Sequence, residues 1–257
     1  MTVRRVLLAA FALAATADLV CLAVGFGPGH TVAKPLLMPL LAAYAASHGA
    51  PRLLLAALLF GWGGDVLLLF EAESAFLAGM ASFAAGHLCY LVLFKAYDKA
   101  HSRAHGRAHG RVYGRVYDKA HGRAYGFKAY GDARARGGLL VLVYAAALLT
   151  TVASLWPDLP ADLRVPVAGY SLLLTAMAYA ATIRLGLVAG LGGALFLLSD
   201  TLIATGVADW PQPPRPDLWI MLTYLAAQLL LTAGTLGALE ARPAPVTTCG
   251  EVRSTTP

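Results

Sequence analysis

The stretch LGLVAGLGGALFLLSDTLIATGV, Leu185 to Val207, carries a single ionisable side chain, Asp200, in an otherwise apolar run. At 1.5 Å per residue a helix of this length spans a hydrocarbon core of about 30 Å, which takes roughly 20 mostly apolar residues. The lone acid is therefore expensive where it lies, and an intramembrane acid normally faces a protein interior or a water-filled cavity.

The same reading extends outward over most of the chain. Of 257 residues, 58% are hydrophobic and 13% charged, and the mean hydropathy is +0.65, which excludes an ordinary water-soluble globule. Seven further apolar runs have spanning character: Val6 to Phe26, Thr31 to His48, Leu53 to Phe70, Ala75 to Phe94, Leu139 to Trp156, Val165 to Ile183 and Leu218 to Leu239. Turn and breaker clusters separate them at Gly27-Pro28-Gly29, Gly49-Ala50-Pro51, Pro157 to Pro160 and Pro211 to Pro214. The expected fold is an all-α membrane bundle of about eight helices. Residues 1–94 carry helices one to four, 95–138 a basic loop, 139–240 helices five to eight, and 241–257 a disordered tail. Arg4 and Arg5 before an apolar run imitate a secretory signal, but the run continues to Phe26 and is read as an uncleaved first helix.

Charge reports topology. With the N-terminus inside, the inner segments carry Arg4, Arg5, Arg52, the Lys and Arg of the long loop, Arg184, Arg242 and Arg253, whereas the outer loops carry only Arg164 and Arg215. That bias puts both termini in the cytoplasm, and Ala and Arg richness points to a bacterial cytoplasmic membrane. The net charge of +6 is concentrated in the long loop and calls for no nucleic-acid partner. Cys21 and Cys89 lie in apolar runs and Cys249 in a polar tail, so no disulfide framework or metal spacing emerges.

From Lys95 to Gly126 the loop repeats a tetrapeptide of Lys or Arg, Ala or Val, His or Tyr, then Gly, Asp or Ser, and Lys128 to Gly131 adds another copy. Its glycines disfavour helix, and it has no apolar face to offset ordering entropy, so disorder is expected. A basic strip of this kind suits contact with anionic lipid. The repeat histidines His101, His105, His109 and His121 lack fixed carboxylate or thiolate partners, and no metal is expected.

The informative residues are the polar ones inside the spans: Asp18, Lys34, Asp65, His87, Asp200, Tyr224 and Gln228. Their positions along the spans place them at comparable depths, in reach of one pocket. The bland alternative satisfies each separately, with Asp18 pairing with Lys34, Ser199 bonding its own helix and His87 a neutral buried imidazole. Asp65 and Asp200 resist it better, because each follows small residues, Gly63-Gly64 and Ser199, that permit close helix approach.

Five stretches in order, Lys34-Pro35-Leu36, Gly64-Asp65-Val66-Leu67-Leu68, Leu77 to Tyr90, Gly193 to Asp200 and Leu222 to Gln228, resemble the YhhN-type lysoplasmalogenase family. The resemblance covers about Lys34 to Leu231; the tetrapeptide loop and the tail depart from it. It implies eight membrane helices and hydrolysis of the vinyl ether bond of a lysoplasmalogen without a cofactor, giving a fatty aldehyde and a glycerophosphoethanolamine or glycerophosphocholine. It also implies that Asp65 and Asp200 are the catalytic pair.

The chemistry fits two carboxyl groups. A vinyl ether is cleaved when its alkene carbon takes a proton, water adds to the resulting oxocarbenium, and the hemiacetal collapses. One acid must stay protonated near neutral pH, which burial and a neighbouring carboxylate favour, while the other stabilises positive charge and activates water. Lys34, His87, Tyr90, Ser199, Tyr224 and Gln228 are the expected substrate-binding residues, with Lys34 on the phosphate. The substrate is a lysophospholipid drawn from the surrounding membrane lipids. An intramembrane aspartyl protease fails on Trp62, which breaks the required Gly-x-Gly-Asp motif. The reading from another class is a small proton-coupled transporter or lipid-binding protein, whose buried acids carry protons without hydrolysis.

Overall fold

A computed structural model describes residues 2–112 and 122–241, with side chains for 2–97 and 138–241. Among the described residues the chain is all helix: α1 (Val3–Val24), α2 (Gly27–Ser47), α3 (Arg52–Leu67), α4 (Glu73–Val112), α5 (Gly122–Leu155), α6 (Ala161–Leu185), α7 (Leu187–Val207) and α8 (Pro216–Glu240). Six have the length and composition to cross a membrane: α1, α4 over Glu73–Tyr97, α5 over Gly138–Leu155, α6, α7 and α8. The two remaining runs read as spans form α2 and α3. The 16 residues of α3 reach only about 24 Å, and α2 carries His30, Lys34 and two internal prolines. Helix α3 falls short in length and α2 in hydropathy, and both pack on their neighbours in the bundle.

The protein is an integral membrane bundle, and its surface shows it. Leu13, Val165 and Leu187 are each more than 70% exposed, whereas Asp18, Asp65, His87 and Gln228 are at most 2% exposed. Apolar groups outside and polar groups inside is the arrangement that a hydrocarbon solvent selects.

The chain threads up and down. The α1–α2, α3–α4, α5–α6 and α7–α8 connections share one end, tied there by Arg215 donating to the Leu22 carbonyl (3.2 Å) and the Trp210 indole donating to Asp158 (2.8 Å). At the other end Arg4 donates to the Ser47 carbonyl at 3.1 Å. Neighbours in sequence pack together, α1 on α2, α3 on α4 and α7 on α8, while α4 and α6 close the bundle across the middle. Close approach depends on missing side chains at two crossings. A Cβ on Gly86 of α4 would meet the Ala57 carbonyl of α3 at 3.1 Å, and one on Gly192 of α7 would meet the α8 backbone at 2.8 Å.

In the tetrapeptide repeat, expected to lack regular structure, helix α4 continues to Val112 and α5 begins at Gly122; residues 113–121 of the loop lie outside the described residues. Extending a formed helix avoids the nucleation step, and Ala, Lys and Arg are among the best helix formers. Together these outweigh the roughly 1 kcal/mol that each glycine costs. The expected disordered tail lies, from residue 242 onward, outside the described residues.

Local backbone chemistry fixes α2 against α3. Pro39 has no N–H, so the Pro35 carbonyl one turn earlier loses its helical donor. The Trp62 indole of α3 donates to that carbonyl at 2.9 Å, setting Lys34 and Asp65 on facing helices. Trp62→Phe strands the carbonyl and should lower stability by about 1–3 kcal/mol. Adding Pro39→Ala restores a helical donor and should recover part of the loss, read as thermal unfolding of the detergent-purified protein. Equal losses in the presence and absence of Pro39 would contradict this coupling.

Candidate active site

Seven of the eight candidate site residues are buried and Asp200 is half-buried, and six of the eight join into two hydrogen-bonded chains. The first begins on α4 and ends on α3. Tyr90 donates to Gln228 Oε1 (2.9 Å), Gln228 Nε2 donates to the Tyr224 hydroxyl (3.4 Å), and Tyr224 donates to Asp65 Oδ2 (2.7 Å). Tyr224 and Gln228 stand one turn apart on α8, so both face α3. Gly61, one turn before Asp65, leaves them room, since a Cβ there would lie 3.1 Å from Gln228 and 3.2 Å from Tyr224. Buried acceptors and donors are thereby paired, as a low-dielectric interior requires.

The second chain holds Asp200. His87 Nε2 lies 3.1 Å from the Tyr170 hydroxyl, and Tyr170 donates to Asp200 Oδ2. The single phenol proton goes to Asp200, so in this state His87 donates from Nε2. His87 Nδ1 then carries no proton, and among the described residues it has no partner.

An aromatic layer connects the two chains. The Phe196 ring sits 4.7 Å from His87 and 5.4 Å from Tyr224, and Phe83 stacks edge-on against both Phe196 and Tyr224. The two carboxyl groups belong to separate hydrogen-bonded chains on either side of this layer. Yet their surroundings differ. Asp200 and Tyr170 form part of the wall of a cavity of about 160 Å³ between α4, α5, α6 and α7, whose other walls include Phe76, Met80, Phe83 and Leu148. Asp65 is not among the lining residues and lies behind Phe83 and Tyr224.

Two pairings differ from expectation, and Lys34 lies apart from the cavity. Asp18, fully buried, pairs with His30 Nδ1 at 2.8 Å and not with Lys34, because His30 lies on the α2 turn that returns beside α1. Lys34 is buried on α2 and does not line the cavity. Ser199 donates to the Ile220 carbonyl of α8 at 3.1 Å, tying α7 to α8 instead of bonding its own helix or facing the cavity. Sequence reading missed Tyr170 and His30. Tyr170 lies between Gly169 and Ser171, and a tyrosine in an apolar run reads as a core aromatic, so only its contacts reveal it.

The profile of the YhhN family matches residues 29–114 and 124–235. The chain belongs to the YhhN family. Between its two parts the match leaves out residues 115–123 of the tetrapeptide repeat. Curated relatives include Lysoplasmalogenase TMEM86B of Sus scrofa, 32% identical over 80% of this chain and 74% of the relative. The Homo sapiens protein of the same name is 33% identical over 74% of this chain and 66% of its own length. Lysoplasmalogenase TMEM86A of Bos taurus is 26% identical over 77% of this chain and 70% of its own. No solved structure matches the chain.

The Asp18–His30 pair is separable from the cavity and is assigned to stability. His30→Leu leaves a buried carboxyl unpartnered and should lower stability by about 1–3 kcal/mol, and adding Asp18→Asn should recover part of it. Thermal unfolding in detergent reads both; an unchanged melting temperature in His30→Leu would refute the assignment.

Proposed function

We propose that the chain hydrolyses the vinyl ether bond of a lysoplasmalogen, releasing a fatty aldehyde and glycerophosphoethanolamine or glycerophosphocholine. One observation carries the reading. An apolar cavity inside a membrane bundle has a carboxyl group in its wall, backed by a tyrosine and a histidine that can pass a proton to it. The names of the relatives supply the substrate class.

In this reading Asp200, in its neutral form, gives its proton to the alkene carbon distal to the ether oxygen, forming the oxocarbenium. The carboxylate left behind accepts a hydrogen bond from Tyr170 and stands beside the cation it has created. Water adds to the oxocarbenium carbon, Asp200 takes up the proton released, and the hemiacetal collapses to aldehyde and glycerol hydroxyl. The acid thus returns to its starting state in each turnover. The His87–Tyr170–Asp200 chain can run in either direction, since Tyr170 can donate to Asp200 or accept from it and donate to His87. That freedom lets the acid exchange its proton without opening to bulk water. Asp65, held by Tyr224, contributes negative charge toward the oxocarbenium from behind the aromatic layer, and Lys34 balances that charge within the bundle.

Asp200→Asn should reduce aldehyde release from a lysoplasmalogen by about 10²–10⁴-fold, with the protein still purified from the membrane in folded form. Tyr170→Phe removes one hydrogen bond to a charged group and should reduce it by about 10–100-fold. The saturated ether analogue should yield no aldehyde. Full activity in Asp200→Asn would remove the mechanism. Proton-coupled uptake into vesicles without aldehyde release would instead establish the transporter reading.

The basic end of the bundle, bearing Arg4, Arg5, Arg52 and Arg184, is assigned to the cytoplasm by the positive-inside rule, with the repeat's cations against anionic lipid. Reporter fusions at the C-terminus should be active only in their cytoplasmic form; activity of a periplasmic reporter there would reverse the assignment.

A further inference from the structure

The cavity at Asp200 has a shape and an opening that the chemistry of the site does not by itself require. Its wall is apolar apart from Tyr170, Asp200 and a few hydroxyls, and it runs beside α7 from Leu197 to Val207. Helices α4 and α5 both supply wall residues, Phe76, Met80 and Phe83 from one, Ala147, Leu148 and Thr151 from the other. Among the described residues, however, α4 packs on α3 and α6, and α5 on α6 and α7. The slot between α4 and α5 therefore faces the acyl chains of the bilayer, and the exposed Leu142, Val143 and Leu149 of α5 place this segment in hydrocarbon. A second recess shares Thr151 and Thr201 with the cavity and continues it toward Trp210.

We propose that the hydrocarbon chain of a single-chain ether lipid occupies this cavity, entering sideways between α4 and α5, with its reacting bond against Tyr170 and Asp200. Occupancy is argued from packing. Native interiors are close-packed, and an empty apolar void costs stability in proportion to its volume. The size selects one chain. A volume of about 160 Å³ is close to the roughly 150 Å³ of an engineered cavity that holds one benzene, so a few carbons of a single chain fit and two chains do not. The remainder of the chain lies in the α4–α5 slot among lipid tails. Entry from the side also suits a substrate already dissolved in the bilayer, since the chain never crosses water. The position of the reacting bond rests on the hydrolase reading; the occupancy does not.

The test uses a probe that cannot react: a saturated 1-O-alkyl lysophosphocholine carrying a diazirine near the middle of its chain. It is photolysed with the purified full-length protein in detergent and the adducts are mapped by mass spectrometry. Adducts are expected on residues 76–83 of α4 and 147–151 of α5. Ala147→Trp, which fills the slot from the lipid-facing helix, should reduce them about tenfold, the factor that ~1.4 kcal/mol of lost binding represents. Leu172→Trp, on the lipid-exposed face of α6 and outside the cavity wall, should leave them unchanged, as should Asp200→Asn. Adducts spread over lipid-facing residues and indifferent to Ala147→Trp would overturn the placement, even if aldehyde release persisted. Cavity adducts in a protein that releases no aldehyde would uphold the placement and defeat the hydrolase reading alone.

Discussion

The hydrogen bond from Tyr224 to Asp65 is the contact on which the rest of the interior turns. A carboxyl group inside a membrane bundle is tolerated only when its oxygens find partners, and this one draws in three helices to satisfy it. The phenol comes from α8, its own oxygen is approached by Gln228 one turn on, and Gln228 is held in turn by Tyr90 from α4. Gly61 must be small for these groups to reach α3. The short α3 is thereby locked between α4 and α8, although its length alone would not hold it across a bilayer.

The second polar chain is built differently, and the difference has a chemical meaning. Asp65 ends a closed chain whose members are all at most 4% exposed. Asp200 ends a chain that opens on a cavity. The first arrangement encloses its carboxyl group, while the second presents one to the cavity. Phe83 and Phe196 pack between the two chains, touching Tyr224 of one and His87 of the other.

Membrane burial also explains why the bundle is stitched by side chains that a soluble protein would leave to water. The Pro35 carbonyl, freed by Pro39, is met by Trp62. The Phe60 carbonyl accepts from Ser82 at 2.6 Å, and the Ile220 carbonyl accepts from Ser199. Each of these contacts joins two helices, so the need to satisfy the backbone doubles as the device that sets helix register.

The sequence by itself determined the helical membrane architecture, the family, and the set of side chains the bilayer would not tolerate alone. Those properties follow from one-dimensional hydropathy and from short motifs such as Gly64-Asp65 and Ser199-Asp200, which need no knowledge of neighbours. It did not determine which polar group meets which. Asp18 was expected to pair with Lys34 and meets His30, Ser199 was expected in the site and ties α7 to α8, and Tyr170 was passed over. Nor did the sequence distinguish the acid that lines the cavity from the one behind it. Pairing depends on helix rotation and on residues far apart in the chain coming within about 3 Å, a length scale that hydropathy does not carry. The helical course of the repeat's two described ends was hidden for a related reason, since local propensity describes a segment starting alone, whereas each of these adjoins an apolar helix.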